Sequence, residues 1–135
     1  MNITTSNAVG RVQVTIIGLD GQLDGQTYQE LIDKAKGLFE AGARDFVIDM
    51  SNLTYISSAG LVALHSVALL AKGEELPSTE SGWSAYRSIK NSAASVQEHI
   101  KLLNPQDSVK SVLEMVGFDR VFSVFTDLNE AVKSF

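Results

Sequence analysis

Two adjacent hydroxyls, Ser57 and Ser58, stand where the stretch Asp49-Met50-Ser51-Asn52-Leu53-Thr54-Tyr55-Ile56 gives way to Ala59-Gly60 and a long apolar run. The pattern predicts a strand that ends in polar residues and a helix that begins at the serine pair. The first N–H groups of a helix lack intrahelical partners, and the aligned peptide dipoles favour negative charge there. An oxyanion, or a phosphate carried on Ser58, therefore suits this position, with Ser57 as the second candidate acceptor. The plain alternative is an N-cap, a role serine often fills and one worth ~1 kcal/mol.

Other chemistries are poorly supported. Ser58-Ala59-Gly60 with His65 nearby invites comparison with a serine hydrolase. However, the nucleophile elbow needs Gly-x-Ser-x-Gly, Ile56 stands where the first glycine belongs, and His65 shares the helix of Ser58. His65 reads as part of a packed helix, and His99 opens a strand, so the two histidines show no metal-ligand spacing. Asp20, Asp24 and Asp49 could gather beside the serines, although a solvated acidic rim accounts for them equally well. Neither a Walker motif nor a Gly-x-Gly-x-x-Gly loop is present. The chain has no cysteine, which removes disulfides, thiolate metal sites and cysteine nucleophiles, and no cofactor is implied.

The elements that must position the serines follow from periodicity. Arg11 to Leu19 alternates and then turns apolar, as a strand does, and Asp20-Gly21-Gln22-Leu23-Asp24-Gly25 reads as a turn with Asp24 as cap of the next helix. Tyr28, Leu31, Ile32, Ala35, Leu38 and Phe39 recur at helical steps until Gly42. Phe46-Val47-Ile48 is a short buried strand ending at Asp49. In the helix after the serines, Leu61, Leu64, Val67, Ala68 and Ala71 make the most coherent face, but Val62, Leu69 and Leu70 fall elsewhere. Such a helix is either covered on both sides or offers an apolar patch to a partner.

Residues 73 to 98 lose the apolar period and read as an inserted loop carrying Trp83 and Tyr86, with a short helix near Ala85 to Val96. Trp83 and Tyr86 serve either as a partner anchor or as a tether to the body. His99 to Asn104 then resembles a strand leaving through Pro105. A helix follows with Val109, Val112, Leu113 and Val116, capped by Asp107 or Ser108 and stopped by Gly117. Val121 to Phe125 reads as a last strand, and Asp127 with Glu130 as the capping box of a final helix.

At 135 residues the chain supports one domain, 1 to 135, with one core. The N-terminus has neither a basic segment nor an apolar one, and no apolar run approaches the ~18 residues of a membrane span. A cytoplasmic protein without membrane insertion is expected. Eleven Lys and Arg against sixteen Asp and Glu give a charge of -5 with no basic cluster. That balance points to a protein or small-ligand partner rather than nucleic acid.

Gly21-Gln22-Leu23-Asp24, Phe46 to Ser51, Tyr55-Ile56-Ser57-Ser58-Ala59-Gly60-Leu61, Leu102-Leu103-Asn104-Pro105 and Val116-Gly117-Phe118-Asp119 together resemble the STAS domain, and within it the anti-sigma factor antagonist family. The resemblance runs from about Val9 to Lys72 and again from His99 to Phe135. It implies an α/β fold with a roughly five-stranded mixed sheet and about four helices, plus the insertion between the second helix and the next strand. It also implies a non-enzymatic switch that binds an anti-sigma factor/serine protein kinase, is phosphorylated on Ser58, releases its partner, and is reset by a phosphatase. By the same resemblance the partner surface comprises Asp20, Gly21, Leu23, Asp24, Ser57, Ser58, Ala59, Gly60 and Val62. Asp24 frames the site, and Asp49 and Ser51 end the strand that delivers it. A weak homodimer is compatible with this class. Many phosphorylated members carry aspartate where this chain has Ser57. The competing expectation is therefore a constitutive adaptor of a transporter, lipid-transport or stress-signalling assembly.

Overall fold

Alternating segments become strands β1 (Asn2–Val9), β2 (Gln13–Leu23), β3 (Phe46–Ile56), β4 (Ile100–Leu103) and β5 (Ser123–Phe125). Helical spacing becomes α1 (Tyr28–Glu40), α2 (Ser58–Ala71), α3 (Asp107–Met115), α4 (Phe118–Val121) and α5 (Leu128–Lys133). The computed structural model describes residues 1–71 and 99–135. The expected insertion at 73–98, with Trp83, Tyr86 and its short helix, lies outside the described residues.

The strands form one sheet in the order β1-β2-β3-β4-β5, with β1 antiparallel to β2 and the other neighbours parallel. Side chains alternate between faces along each strand. Ile17, Leu19, Phe46, Ile48 and Leu102 point to the face covered by α1, α2, α3 and α4. Val14, Val47 and Leu103 point to the other, which α5 covers with Ala131 and Val132. Three parallel crossovers with their helices on one face produce this layering.

Several boundaries differ from the expectation for physical reasons. β1 lacks apolar alternation because it is an edge strand exposed along most of its length. β2 runs through Asp20, Gly21 and Gln22 to Leu23, because β3 is long enough to pair with it as far as Ile56. The register between them shifts twice, between Gly18 and Asp20 and between Gly21 and Gln22, and these irregularities absorb extra β3 residues. β3 therefore does not stop at Asp49. Phe118 to Val121 coils into α4, leaving only Ser123 to Phe125 as strand, because Gly117 turns left-handed (φ 81°) and Phe118 and Phe122 pack edge to face at 5.3 Å.

The last helix is capped by the residue its sequence predicts. Glu130 N–H donates to Asp127 Oδ1 at 3.2 Å, as a capping box starts. The residue preceding α3 is Gln106 rather than Asp107 or Ser108, and the residue preceding α1 is Thr27 rather than Asp24. Gly42 (φ 110°) follows α1 and donates to the Phe39 carbonyl. Among the described residues no helix is long and apolar enough to cross a membrane.

Phe118→Ala removes a fully buried ring that lies between α4 and the sheet. It is expected to cost about 3–5 kcal/mol in chemical denaturation, whereas Met115→Ala, at a position 81% exposed, stays within about 0.5 kcal/mol.

Candidate functional site

α2 starts where β2 ends. Ser57 N–H donates to the Leu23 carbonyl at 2.9 Å, and the Leu61 N–H closes the first helical turn onto the Ser57 carbonyl at 3.0 Å. Gly60 allows this approach. A Cβ on it would stand 2.7 Å from both Ile56 Cγ1 and the Leu23 carbonyl oxygen. Glycine at position 60 is thus a steric requirement for seating the helix on the end of the sheet.

The two serines have separate roles in this geometry. Ser57 Oγ accepts a long hydrogen bond of 3.4 Å from Gly60 N–H, the position an N-cap serves. Ser58 is the first residue of α2 and is exposed, and its hydroxyl takes part in no hydrogen bond among the described residues. The first turn of α2 contains no acidic residue, so nothing in the helix itself neutralises its positive end.

The neighbouring β2-α1 turn is tied down tightly. Thr27 Oγ1 accepts from Asp24 N–H at 2.9 Å and donates to the Gln22 carbonyl at 2.7 Å. Asp24 Oδ1 accepts from Gln26 N–H at 2.9 Å, and the Asp24 carbonyl accepts from Tyr28 N–H at 2.8 Å. Asp24 therefore holds the turn and starts α1 through its backbone carbonyl. Because Leu23 bonds to Ser57, this turn lies directly beside the start of α2.

The proposed surface residues separate into three groups. Asp24, Ser57, Ser58, Ala59 and Val62 lie at the start of α2 or in the adjoining turn and are at least partly open to solvent. Leu23 and Gly60 are buried, so they position the surface and cannot contact a partner through side chains. Asp20 and Gly21 lie within β2 rather than in a loop, and Asp20 alternates onto the sheet face opposite Leu19, away from α2. Asp49 sits beside Gly18 and Leu103 on that same opposite face, nine residues before Ser58. The three aspartates do not converge: among the described residues no group of three acidic or histidine side chains comes together.

Asp49 and Ser51 instead belong to a polar lock that the sequence reading missed. Asp49 Oδ1 accepts from Ser51 Oγ at 2.6 Å and from Ser51 N–H at 3.0 Å. β3 runs beyond the end of β4, and its orphaned carbonyls are met from the loop before α3 and its first turn: Gln106 Nε2 donates to the Ser51 carbonyl at 2.8 Å and Ser108 Oγ to the Thr54 carbonyl at 3.2 Å. Asn104, left-handed at φ 52°, donates to Ser51 Oγ at 3.2 Å. The only sequence signal was Asn104-Pro105, a turn marker silent about its partners 50 residues away.

α2 itself is covered on most sides. All its residues are buried except Ser58, Ala59, Val62 and Leu69, with α1 on one flank and the sheet beneath. Ser58 and Val62 are one turn apart, so the open strip at the start of α2 carries the hydroxyl and an apolar neighbour together. Tyr55, 49% exposed and three residues before Ser58, is a large apolar group that sequence reasoning left out of the surface. His65 is buried within α2, and His99 Nδ1 lies 2.8 Å from Asp45 Oδ1 at the start of β4.

A mixed five-stranded sheet with a serine pair at the head of its second helix defines an α/β domain whose fold is also that of anti-sigma factor antagonists. The family model described as "Mlab, STAS domain" matches residues 8–78, and the chain belongs to the STAS domain family. An anti-sigma factor antagonist from Mycobacterium paratuberculosis superposes with a TM-score of 0.66 at 17% identity, over 98% of this chain and 93% of that one. The anti-sigma factor antagonist SpoIIAA in its unphosphorylated form gives 0.61 at 17% identity, over 97% and 93%. The Bacillus cell fate determinant SpoIIAA in the phosphorylated form gives 0.53 at 15% identity, over 97% and 96%. No curated protein matches the chain in sequence.

Removing the cap and filling the glycine niche separate the structural roles. Ser57→Ala is expected to cost about 0.5–1 kcal/mol, the low end for a cap with so long a bond, while Ser58→Ala stays within about 0.5 kcal/mol. Gly60→Ala is expected to cost about 1–3 kcal/mol by overpacking against Ile56 and Leu23. Thermal and urea unfolding of the three variants measures all of this.

Proposed function

We propose that this single STAS domain, with 73–98 as an insertion, is a non-enzymatic protein-binding switch of the cytoplasm controlled by phosphorylation of Ser58. Its unmodified form binds an anti-sigma factor/serine protein kinase, and its phosphorylated form lets go until a phosphatase resets it. The observation that carries the reading is the division of labour between the serines. Ser57 is engaged as the cap, whereas Ser58 is exposed and its hydroxyl is unengaged among the described residues.

The physics of such a switch follows from position. A phosphate adds about -1.5 to -2 charges and three acceptor oxygens. At the head of α2 it meets unpaired N–H groups and the positive end of the helix, so the fold tolerates it or gains up to ~2 kcal/mol. In a complex, the same charge is buried beside Val62 and near Asp24. Without a basic partner there it opposes association by several kcal/mol, and each ~1.4 kcal/mol is a tenfold loss of affinity. The binding surface comprises Asp24, Ser58, Ala59, Val62 and Tyr55, held in place by Leu23, Ser57 and Gly60. The phosphorylated SpoIIAA structure supports the reading by showing that this fold accommodates a phosphate in another protein.

A constitutive adaptor is the second reading. It is favoured by the presence of Ser57, already used as a cap, where many phosphorylated members of the class carry an aspartate. The two separate on one comparison, made on protein purified from its host by intact mass, site mapping and affinity for the partner co-purified with it. The switch gives a phosphate on Ser58 that is absent from Ser58→Ala, full binding by Ser58→Ala, and at least a tenfold loss with Ser58→Asp. Equal binding by both variants with no phosphate under any growth or stress condition sinks the switch and leaves the adaptor. Phosphate mapped to Ser57 moves the acceptor by one residue.

A further inference from the structure

β1 meets β2 on one side only, and among the described residues nothing pairs with its other side. Exposed edges present unpaired N–H and C=O groups, and natural sheets blunt them with charges, prolines, bulges or very short strands. β1 has none of these guards. It is eight residues long with no charge and no proline, its register with β2 is unbroken, and Thr4, Thr5, Ser6 and Asn7 are all exposed.

We propose that β1 is the seam of a homodimer, in which β1 of one protomer pairs antiparallel with β1 of a second copy across a two-fold axis. The two five-stranded sheets then become one continuous sheet. A two-fold axis normal to the sheet returns each face to itself, so residues opposed across the seam must come from the same face of β1. Ile3, Thr5, Asn7 and Val9 share one face, opposite Leu19, Ile17, Thr15 and Gln13 of β2, and Thr4, Ser6 and Ala8 share the other. Centring the axis on Ser6 opposes Ile3 to Val9 of the second copy, Thr5 to Asn7, Thr4 to Ala8 and Ser6 to itself.

That register is self-complementary in two respects. Val9, 82% exposed in the protomer, acquires an apolar neighbour at each end of the seam. The seam carries no charge to repel its copy. Both features favour a second copy of this chain over an unrelated strand. The seam excludes α2, so the surface around Ser58 does not take part in it.

Ser6 on the axis makes the test specific. Wild-type protein is expected to show a monomer–dimer equilibrium in sedimentation at micromolar to sub-millimolar concentration. Ser6→Lys and Ser6→Glu each place like charges opposite one another and are expected to weaken the dimer about fivefold or more, while an equimolar mixture of the two restores it. Because the chain lacks cysteine, Ser6→Cys provides a second readout: oxidation should yield a covalent dimer, and Asn2→Cys, which faces Gly10, should not. A wild-type chain that stays monomeric at sub-millimolar concentration overturns the proposal. So does a dimer indifferent to both charge variants, or Asn2→Cys cross-linking as readily as Ser6→Cys.

Discussion

The joint between β2 and α2 is the constraint on which the candidate site of this protein depends. One hydrogen bond from Ser57 N–H to the Leu23 carbonyl and one absent side chain at Gly60 bring the helix onto the end of the sheet. A buried N–H must find an acceptor, and the end of a strand offers one where no further strand neighbour competes for it. The contact places the β2-α1 turn and the head of α2 side by side, and it leaves Ser58 as the first residue clear of both. Any larger residue at position 60 pushes these two elements apart.

A second constraint comes from the unequal lengths of the strands. β3 extends well past β4, so its later carbonyls would be orphaned if Gln106 and Ser108 did not reach across to them. The register shifts against β2 let Leu53 and Ile56 both point inward while Thr54 and Tyr55 turn out. Polar residues that read as the end of a strand are therefore structural mortar within one. Asp49 and Ser51 secure the sheet on the face opposite α2.

The fold and the site also divide the electrostatics. Among the described residues, the apolar α2 has no acid in its first turn to offset its dipole, and it is buried along most of its length and open at its positive end. Negative charge at that end is cheap for the domain and expensive for a partner covering Val62. In the proposed switch this asymmetry lets a modification act on association while leaving the core, which lies beneath Leu61 and Leu64, untouched.

Much of this was legible from residue type and order alone. Periodicity located α1, α3 and α5 because each buries one face, and the nearly continuous apolar run after the serine pair located α2, which is buried on most sides. The apolar run Phe46 to Ile48 marked a strand covered on both faces, and Asp127 with Glu130 marked a cap because capping is local. The serine pair was recognisable for the same reason. Non-local pairing was not legible. β1 is a strand only because β2 lies beside it, β2 and β3 run on through polar residues because each supplies the other's hydrogen bonds, and Phe118 to Val121 coils because Phe118 and Phe122 find each other in the core. Sequence by itself determined which residues could cap, bury or carry a phosphate, since those properties reside in single side chains and their near neighbours. Only the tertiary structure decided that Ser57 caps while Ser58 stays open, that Leu23 and Gly60 are buried supports, and that Asp20 and Asp49 face away, because each depends on which strand edge or sheet face the residue meets.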